Sequence, residues 1–116
     1  MDLKIKSTVP STKQEVDRWF SFRDDIHKIH LANNSYAEHK ILNEFYDNFL
    51  GLIDRFVEAY QGDMSKLYTD NNAKDKLLAS KSKLLEFIVL FKNHKDLENI
   101  IAEMIELHNS TLYKLP

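Results

Sequence analysis

The feature that most constrains this chain is its near absence of helix breakers. Its 116 residues include two glycines and two prolines, and the prolines are Pro10 and Pro116. Because proline interrupts an α-helix more strongly than any other residue, the whole stretch between them is free to form long helices. A chain of this length supports one ordinary domain. We therefore expect an all-α protein with an N-terminal arm over residues 1–10 and a single helical domain over residues 11–116.

Apolar residues recur at helical spacing in four segments that polar, turn-forming residues separate. Ser11 with Gln14, and Ser35 with Glu38, have the spacing of a capping box, which marks the start of a helix. Gly62 follows the second apolar segment and is suited to a left-handed helix cap. These signals predict a four-helix bundle with helices over residues 12–32, 36–61, 73–92 and 95–112.

Charge and cysteine content narrow the range of partners and cofactors. The 16 Lys and Arg and 18 Asp and Glu give a net charge of -2, and no segment is basic enough to follow a phosphate backbone. This argues against nucleic acid as a partner. The chain has no cysteine, so its metal ligands would be imidazole and carboxylate groups.

The hydropathy pattern bears on location. No apolar stretch approaches the roughly 20 residues that span a bilayer. The N-terminal sequence MDLKIKSTVP lacks the long apolar run of a secretory signal. We therefore expect no membrane association and a cytoplasmic location.

Histidines and carboxylates on the first two predicted helices form the candidate functional site. His27 and His30 are three residues apart, so both can point from one face of the first helix. Asp54 and Glu58 are four residues apart and share a face of the second helix, which also carries His39. Such a donor set suits iron, manganese or zinc. The candidate metal ligands are therefore His27, His30, His39, Asp54 and Glu58.

Helix geometry indicates that one chain does not bring these ligands to a single ion. His39 and Asp54 lie within about 60° of the same helix face but roughly 22 Å apart along the axis. If two copies of the second helix cross antiparallel near Asp47, His39 of one chain approaches Asp54 and Glu58 of the other. The sequence thus predicts a homodimer or higher homo-oligomer with a metal site at a two-fold axis.

The text DDIHKIHLANNSYAEHKILNEFYDNFLGLIDRFVEAYQG, residues 24–62, resembles the helix–turn–helix of the miniature-ferritin (Dps-like) branch of the ferritin-like superfamily. In that branch a histidine, eleven residues, a histidine, fourteen residues, an aspartate, three residues and a glutamate follow one another. His27, His39, Asp54 and Glu58 have these intervals. A shorter turn between the helices would instead make His30 the first histidine of the pattern.

This resemblance implies more than the spacing alone. It implies a ferritin-like four-helix bundle, iron as the metal, and a ferroxidase centre shared between two subunits. In that centre His27 and His39 come from one chain, and Asp54 and Glu58 come from its neighbour. The family commonly has a tryptophan after its first histidine, and this chain has Lys28 there.

A longer part of the chain, roughly residues 25–116, resembles a family of small ferritin-like proteins of tailed bacteriophages. The matching text is H-x-x-H, SYAEHKIL, EFYD, DRFVEAYQG and the closing LENIIAEMIELHNSTLYKLP. The resemblance implies a phage origin, with the host cytoplasm or the virion as the location. It also implies a host or virion protein as a further partner.

The same residues have a reading without metal. A single histidine in a helical protein commonly has a packing or surface role. Asp54 and Glu58 can instead pair with Arg55 or with lysines across an interface. The alternative function is therefore a metal-free phage structural or host-interaction protein on a ferritin-like scaffold. If metal is bound, other divalent transition metals are alternatives to iron.

Overall fold

The structure, a computed structural model, describes residues 10–116 and is helical throughout its regular elements. Within this range no strand occurs. The four α-helices are α1, Thr12–Ala32; α2, Tyr36–Asp63; α3, Ala73–Phe87; and α4, Lys95–Lys114, with a 3-10 helix at Ile88–Phe91. The all-α class and four helices predicted from the sequence are confirmed and are compatible with a four-helix bundle. The predicted arm over residues 1–10 lies outside the described residues, except for Pro10.

The chain divides between Thr69 and Asp70 into two compact units. The first unit contains α1 and α2, and the second contains α3, the 3-10 helix and α4. A single domain over residues 11–116 stays a prediction. None of the described helices is both long and apolar enough to cross a membrane.

Side-chain caps set the starts of α1 and α2. Ser11 and Gln14 form the predicted capping box, with hydrogen bonds of 3.1 and 2.9 Å in the two directions. The Ser35 hydroxyl accepts from the Glu38 N–H at 3.4 Å. The second half of this predicted capping box, a bond from the Ser35 N–H to the Glu38 side chain, is wrong. The Asn33 side-chain amide bonds both groups instead. It donates to the Glu38 carboxylate at 2.7 Å and accepts from the Ser35 N–H at 2.8 Å.

The predicted stop of α2 at Gly62 is wrong. The helix continues through Gly62 to Asp63, and no described glycine has a positive φ. The Met64 N–H donates to the Tyr60 carbonyl at 2.8 Å, so the ordinary helical hydrogen bond is kept past the glycine. The extended backbone of Met64, with φ -131° and ψ -156°, then ends the helix.

The second unit differs from the sequence prediction at its helix ends. α3 ends at Phe87 instead of residue 92, because Ile88–Phe91 tighten into a 3-10 turn. α4 runs two residues beyond the predicted end at 112. Within this unit His108 lies 2.7 Å from the Met104 carbonyl through Nδ1 and 2.9 Å from the Ser80 hydroxyl through Nε2. His108 thus links α3 to α4, and both of its ring nitrogens are satisfied.

Burial in the first unit concentrates where α1 and α2 pack together. Ile53 is 1% exposed, and Val16 and Tyr46 are also buried. The Trp19 ring meets the Phe56 ring edge-on at 5.0 Å between centroids. This packing holds the two helices side by side, and it therefore positions the residues of the candidate site.

Tyr68 fastens the segment after α2 onto the first unit. Its N–H donates to Gln61 Oε1 at 3.1 Å, its hydroxyl donates to the Asp17 carboxylate, and its ring meets the Phe20 ring edge-on. Burial and the bond to Asp17 raise the pKa of Tyr68 to about 12. The bonds from Tyr68 and Lys13 lower the pKa of Asp17. These contacts place the Tyr68 ring against α1 and α2.

Candidate functional site: a histidine cluster and a carboxylate pocket

The three histidines predicted as metal ligands meet at the turn between α1 and α2. His27 and His30 lie in the last turns of α1, and His39 lies in the first turn of α2. The centroids of the His30 and His39 rings are 3.6 Å apart, and those of the His27 and His30 rings are 5.9 Å apart. We call these three residues the histidine cluster.

A backbone hydrogen bond fixes the ring of His39. Its Nδ1 lies 3.0 Å from the His30 carbonyl oxygen. Because a carbonyl oxygen only accepts, Nδ1 must carry the proton, and in the neutral ring Nε2 then keeps its lone pair. Histidines that bind metals are commonly held this way, with one nitrogen donating to a carbonyl and the other binding the ion. Nε2 is therefore the nitrogen of His39 whose lone pair can accept a hydrogen bond or bind an ion.

His30 is the buried member of the cluster, at 6% exposure. Its Nδ1 is buried and has no hydrogen-bond partner among the described residues. Burial, and then the proximity of His39 and His27, lowers the pKa of His30 below its ordinary 6.5, and Asp47 acts in the opposite direction. Burial thus disfavours the protonated form of His30.

The lowered pKa of His30 predicts that metal-free protein loses stability in mild acid. The folded state binds a proton to His30 less readily than the unfolded chain does, so stability is present above pH 6.5 and falls as the pH drops below it. Urea unfolding at pH 7.5, 6.5 and 5.5 in the presence of a chelator measures this. The variant His30→Leu is expected to show a shallower fall, and an identical fall in both proteins would contradict the prediction.

The Tyr46 ring packs against the histidine cluster. The His27 and Tyr46 rings are stacked, with centroids 4.1 Å apart and planes inclined by 14°. The Tyr46 ring also meets the His30 ring edge-on at 5.2 Å. Tyr46 therefore contacts two of the three histidines.

The two predicted carboxylate ligands lie together in a separate pocket. Asp54 and Glu58 line a cavity of about 270 Å³ whose other walls are Phe20, Val57 and Tyr68. Within residues 10–116 neither carboxylate forms an ion pair in the chain. The carboxylates thus face open space beside two aromatic rings.

One chain does not assemble a metal site from these parts. Over the described range, no three His, Asp or Glu side chains are placed to hold a common ion. The separation of His39 from Asp54 along α2 agrees with this finding. The His30 and His39 rings lie close together, with centroids 3.6 Å apart and planes inclined by 32°. The shared two-chain site stays a prediction.

Fold and site together describe a small all-α protein with a histidine cluster and a carboxylate pocket on one helical hairpin. The sequence model of the protein family DUF5856, a family of unknown function, matches residues 30–115. This match covers most of the chain, which therefore belongs to that family. No curated protein and no solved structure matches the chain.

Two tyrosines, Tyr46 and Tyr68, contact the candidate site but are not among the site residues predicted from the sequence. Tyr46 follows His39 by seven residues, which is two helical turns, so the spacing does place both on one face. Tyr68 lies in an irregular segment where no periodicity applies, and nothing in the sequence connects it to Asp54 and Glu58.

Proposed function

We propose that this protein is a ferritin-like metal-binding protein that oxidises iron at a site shared across a two-fold dimer. The observation that carries the proposal is the His39 ring, whose Nδ1 is fixed by the His30 carbonyl at 3.0 Å and whose Nε2 then carries the lone pair that can bind an ion. His108 is also held through Nδ1 by a backbone carbonyl, but its Nε2 is engaged by the Ser80 hydroxyl at 2.9 Å. The homodimer and the metal are both part of the proposal.

His27 and His39 are the histidines best placed to reach a ligand outside the hairpin. Both are partly exposed, whereas His30 is buried beneath them. His30 contributes its carbonyl oxygen to His39 and its ring to the packing. In this proposal His27 and His39 bind the metal, and His30 supports them.

Asp54 and Glu58 supply the oxygen ligands from the second chain. Both carboxylates are exposed, lie in one pocket and have no cationic partner among residues 10–116. The distance along α2 requires that the histidines they meet belong to another copy. Glu58, one turn beyond Asp54, is the residue we expect to bridge two ions.

The donor set fits iron and other divalent transition metals. Imidazole and carboxylate together bind Fe, Mn and Zn, and the chain offers no thiolate. In the reaction, Fe²⁺ is the substrate and loses one electron to dioxygen or hydrogen peroxide. The residues of the site hold the ion and leave positions open for the oxidant.

The biological setting is part of the same proposal. A phage-encoded protein of this kind acts in the host cytoplasm or in the virion, where a host or virion protein is a further partner. The alternative is a metal-free structural or host-interaction protein on a ferritin-like scaffold. The observation in its favour is that one chain, over residues 10–116, places no three donors around a common ion.

Metal content and iron oxidation decide between these functions. Full-length protein is purified without chelator, its oligomeric state is determined, and bound metal is measured by mass spectrometry. Oxidation of added Fe²⁺ is then followed by absorbance. Bound metal on a dimer, with oxidation faster than in buffer, is the expected result. A dimer that binds no Fe²⁺, Mn²⁺ or Zn²⁺ would overturn the proposal and favour the metal-free scaffold.

A further inference from the structure

The His27 ring needs support that the backbone does not give it. His39 is oriented by the His30 carbonyl, but no hydrogen bond to the His27 ring is found among residues 10–116. Its close planar contact is the Tyr46 ring, 4.1 Å away between centroids and inclined by 14°. Stacking on an aromatic ring restricts the plane of an imidazole, and the lone pairs of the nitrogens lie in that plane. Tyr46 therefore controls the direction in which His27 can bind.

Tyr46 is itself held in place by three different contacts. Its hydroxyl donates to Asn43 Oδ1 at 2.6 Å, and its carbonyl accepts from Arg23 Nε at 3.2 Å. The Arg23 guanidinium carbon also lies 5.0 Å from the centroid of the Tyr46 ring. The residue is 6% exposed. These contacts fix the orientation of the Tyr46 ring, and the stacked His27 ring is held parallel to it.

We propose that Tyr46 is a positioning residue of the metal site, which fixes the plane of the His27 ring for metal binding. This inference rests on the proposed function, because it assumes that His27 binds metal. Groups that orient a metal ligand commonly contribute about 10–100-fold to the affinity. The contribution of Tyr46 lies in its ring rather than in its hydroxyl, since the ring makes the contact with His27.

The test replaces the ring of Tyr46 and measures Co²⁺ binding by the full-length protein. Tyr46→Leu removes the stacked ring, and we expect Co²⁺ affinity by calorimetry to fall about 10–100-fold. The visible absorption spectrum of bound Co²⁺, which reports coordination geometry, should change as well. Tyr46→Phe keeps the ring and should retain the affinity and spectrum of the wild type. Ile53→Ala is the control for lost stability, because Ile53 is buried on the same helix outside the histidine cluster.

The outcomes separate this inference from the proposed function. If wild-type protein binds Co²⁺ and Tyr46→Leu binds it with the same affinity and spectrum, the positioning role is overturned and the proposed function stands. If wild-type protein binds no Co²⁺, both are overturned. Should Tyr46→Leu fail to fold, Tyr46→Met fills the same space with a flexible apolar chain and is judged by the same criterion.

Discussion

Replacing His39 by alanine is expected to weaken metal binding at least about 100-fold, since loss of a ligand should exceed the loss of a group that only orients one. His39 combines the fixed ring and the free Nε2 that a metal ligand needs. The fold should survive, because the variant removes one partly exposed side chain and one hydrogen bond worth about 1 kcal/mol. Calorimetric titration with Co²⁺ and far-ultraviolet circular dichroism measure the two effects.

His94→Ala is the matched control for the loss of an imidazole. His94 precedes α4 in the second unit, and its side chain makes no capping hydrogen bond there. We expect this variant to bind Co²⁺ as the wild type does. Equal losses in the His39 and His94 variants would show that His39 is not a specific ligand.

Replacing Ile53 by alanine is expected to lower the free energy of unfolding by about 2–5 kcal/mol, the usual range for removing a large aliphatic side chain from a core. Ile53 is 1% exposed and lies near the middle of α2. Its loss leaves a cavity that neighbouring helical side chains fill only in part. Urea unfolding followed by circular dichroism gives the value.

Ile53→Val is the graded control for this prediction. It removes one methylene-sized group and should lower the free energy of unfolding by about 0.5–1.5 kcal/mol. A much larger loss for alanine than for valine indicates a tightly packed position. If alanine and valine have the same small effect, Ile53 does not lie in the core of the hairpin.

The sequence was sufficient for local features of the fold. The start of α1 follows from Ser11 and Gln14, whose spacing alone brings the two capping groups together. The end of α2 was not predictable in the same way, because Gly62 permits a left-handed cap without requiring one. The 3-10 turn at Ile88–Phe91 likewise interrupts an apolar pattern that continues through it. The positions of helix ends depend on packing, which a single sequence does not show.

For the candidate site too, contacts within one helix were predictable from the sequence and contacts between helices were not. Spacing along one helix predicts that His27 and His30 are neighbours and that Asp54 and Glu58 share a face. The approach of His39 to His30 depends on the conformation of the turn, where Asn33 bonds both Ser35 and Glu38. A contact across a turn has no periodic signal, so the histidine cluster is visible only in the structure.

The central claim, a metal site shared between two chains, is tested most directly by mixing two inactive variants. His39→Ala keeps both carboxylates, whereas the double variant Asp54→Asn with Glu58→Gln keeps His39. Each variant alone should bind metal at the site at least about 100-fold more weakly than the wild type. In a mixed dimer, one of the two sites receives His39 from one chain and the carboxylates from the other, and the second site receives neither.

The variants are unfolded together, refolded to exchange chains, and titrated with Co²⁺. A shared site predicts recovery of about one quarter of the wild-type stoichiometry, because half of the dimers are mixed and each contains one intact site. Recovery at that level would establish that the two halves of the site come from different chains. A refolded, dimeric mixture that binds no Co²⁺, beside a wild type that does, would contradict the shared site.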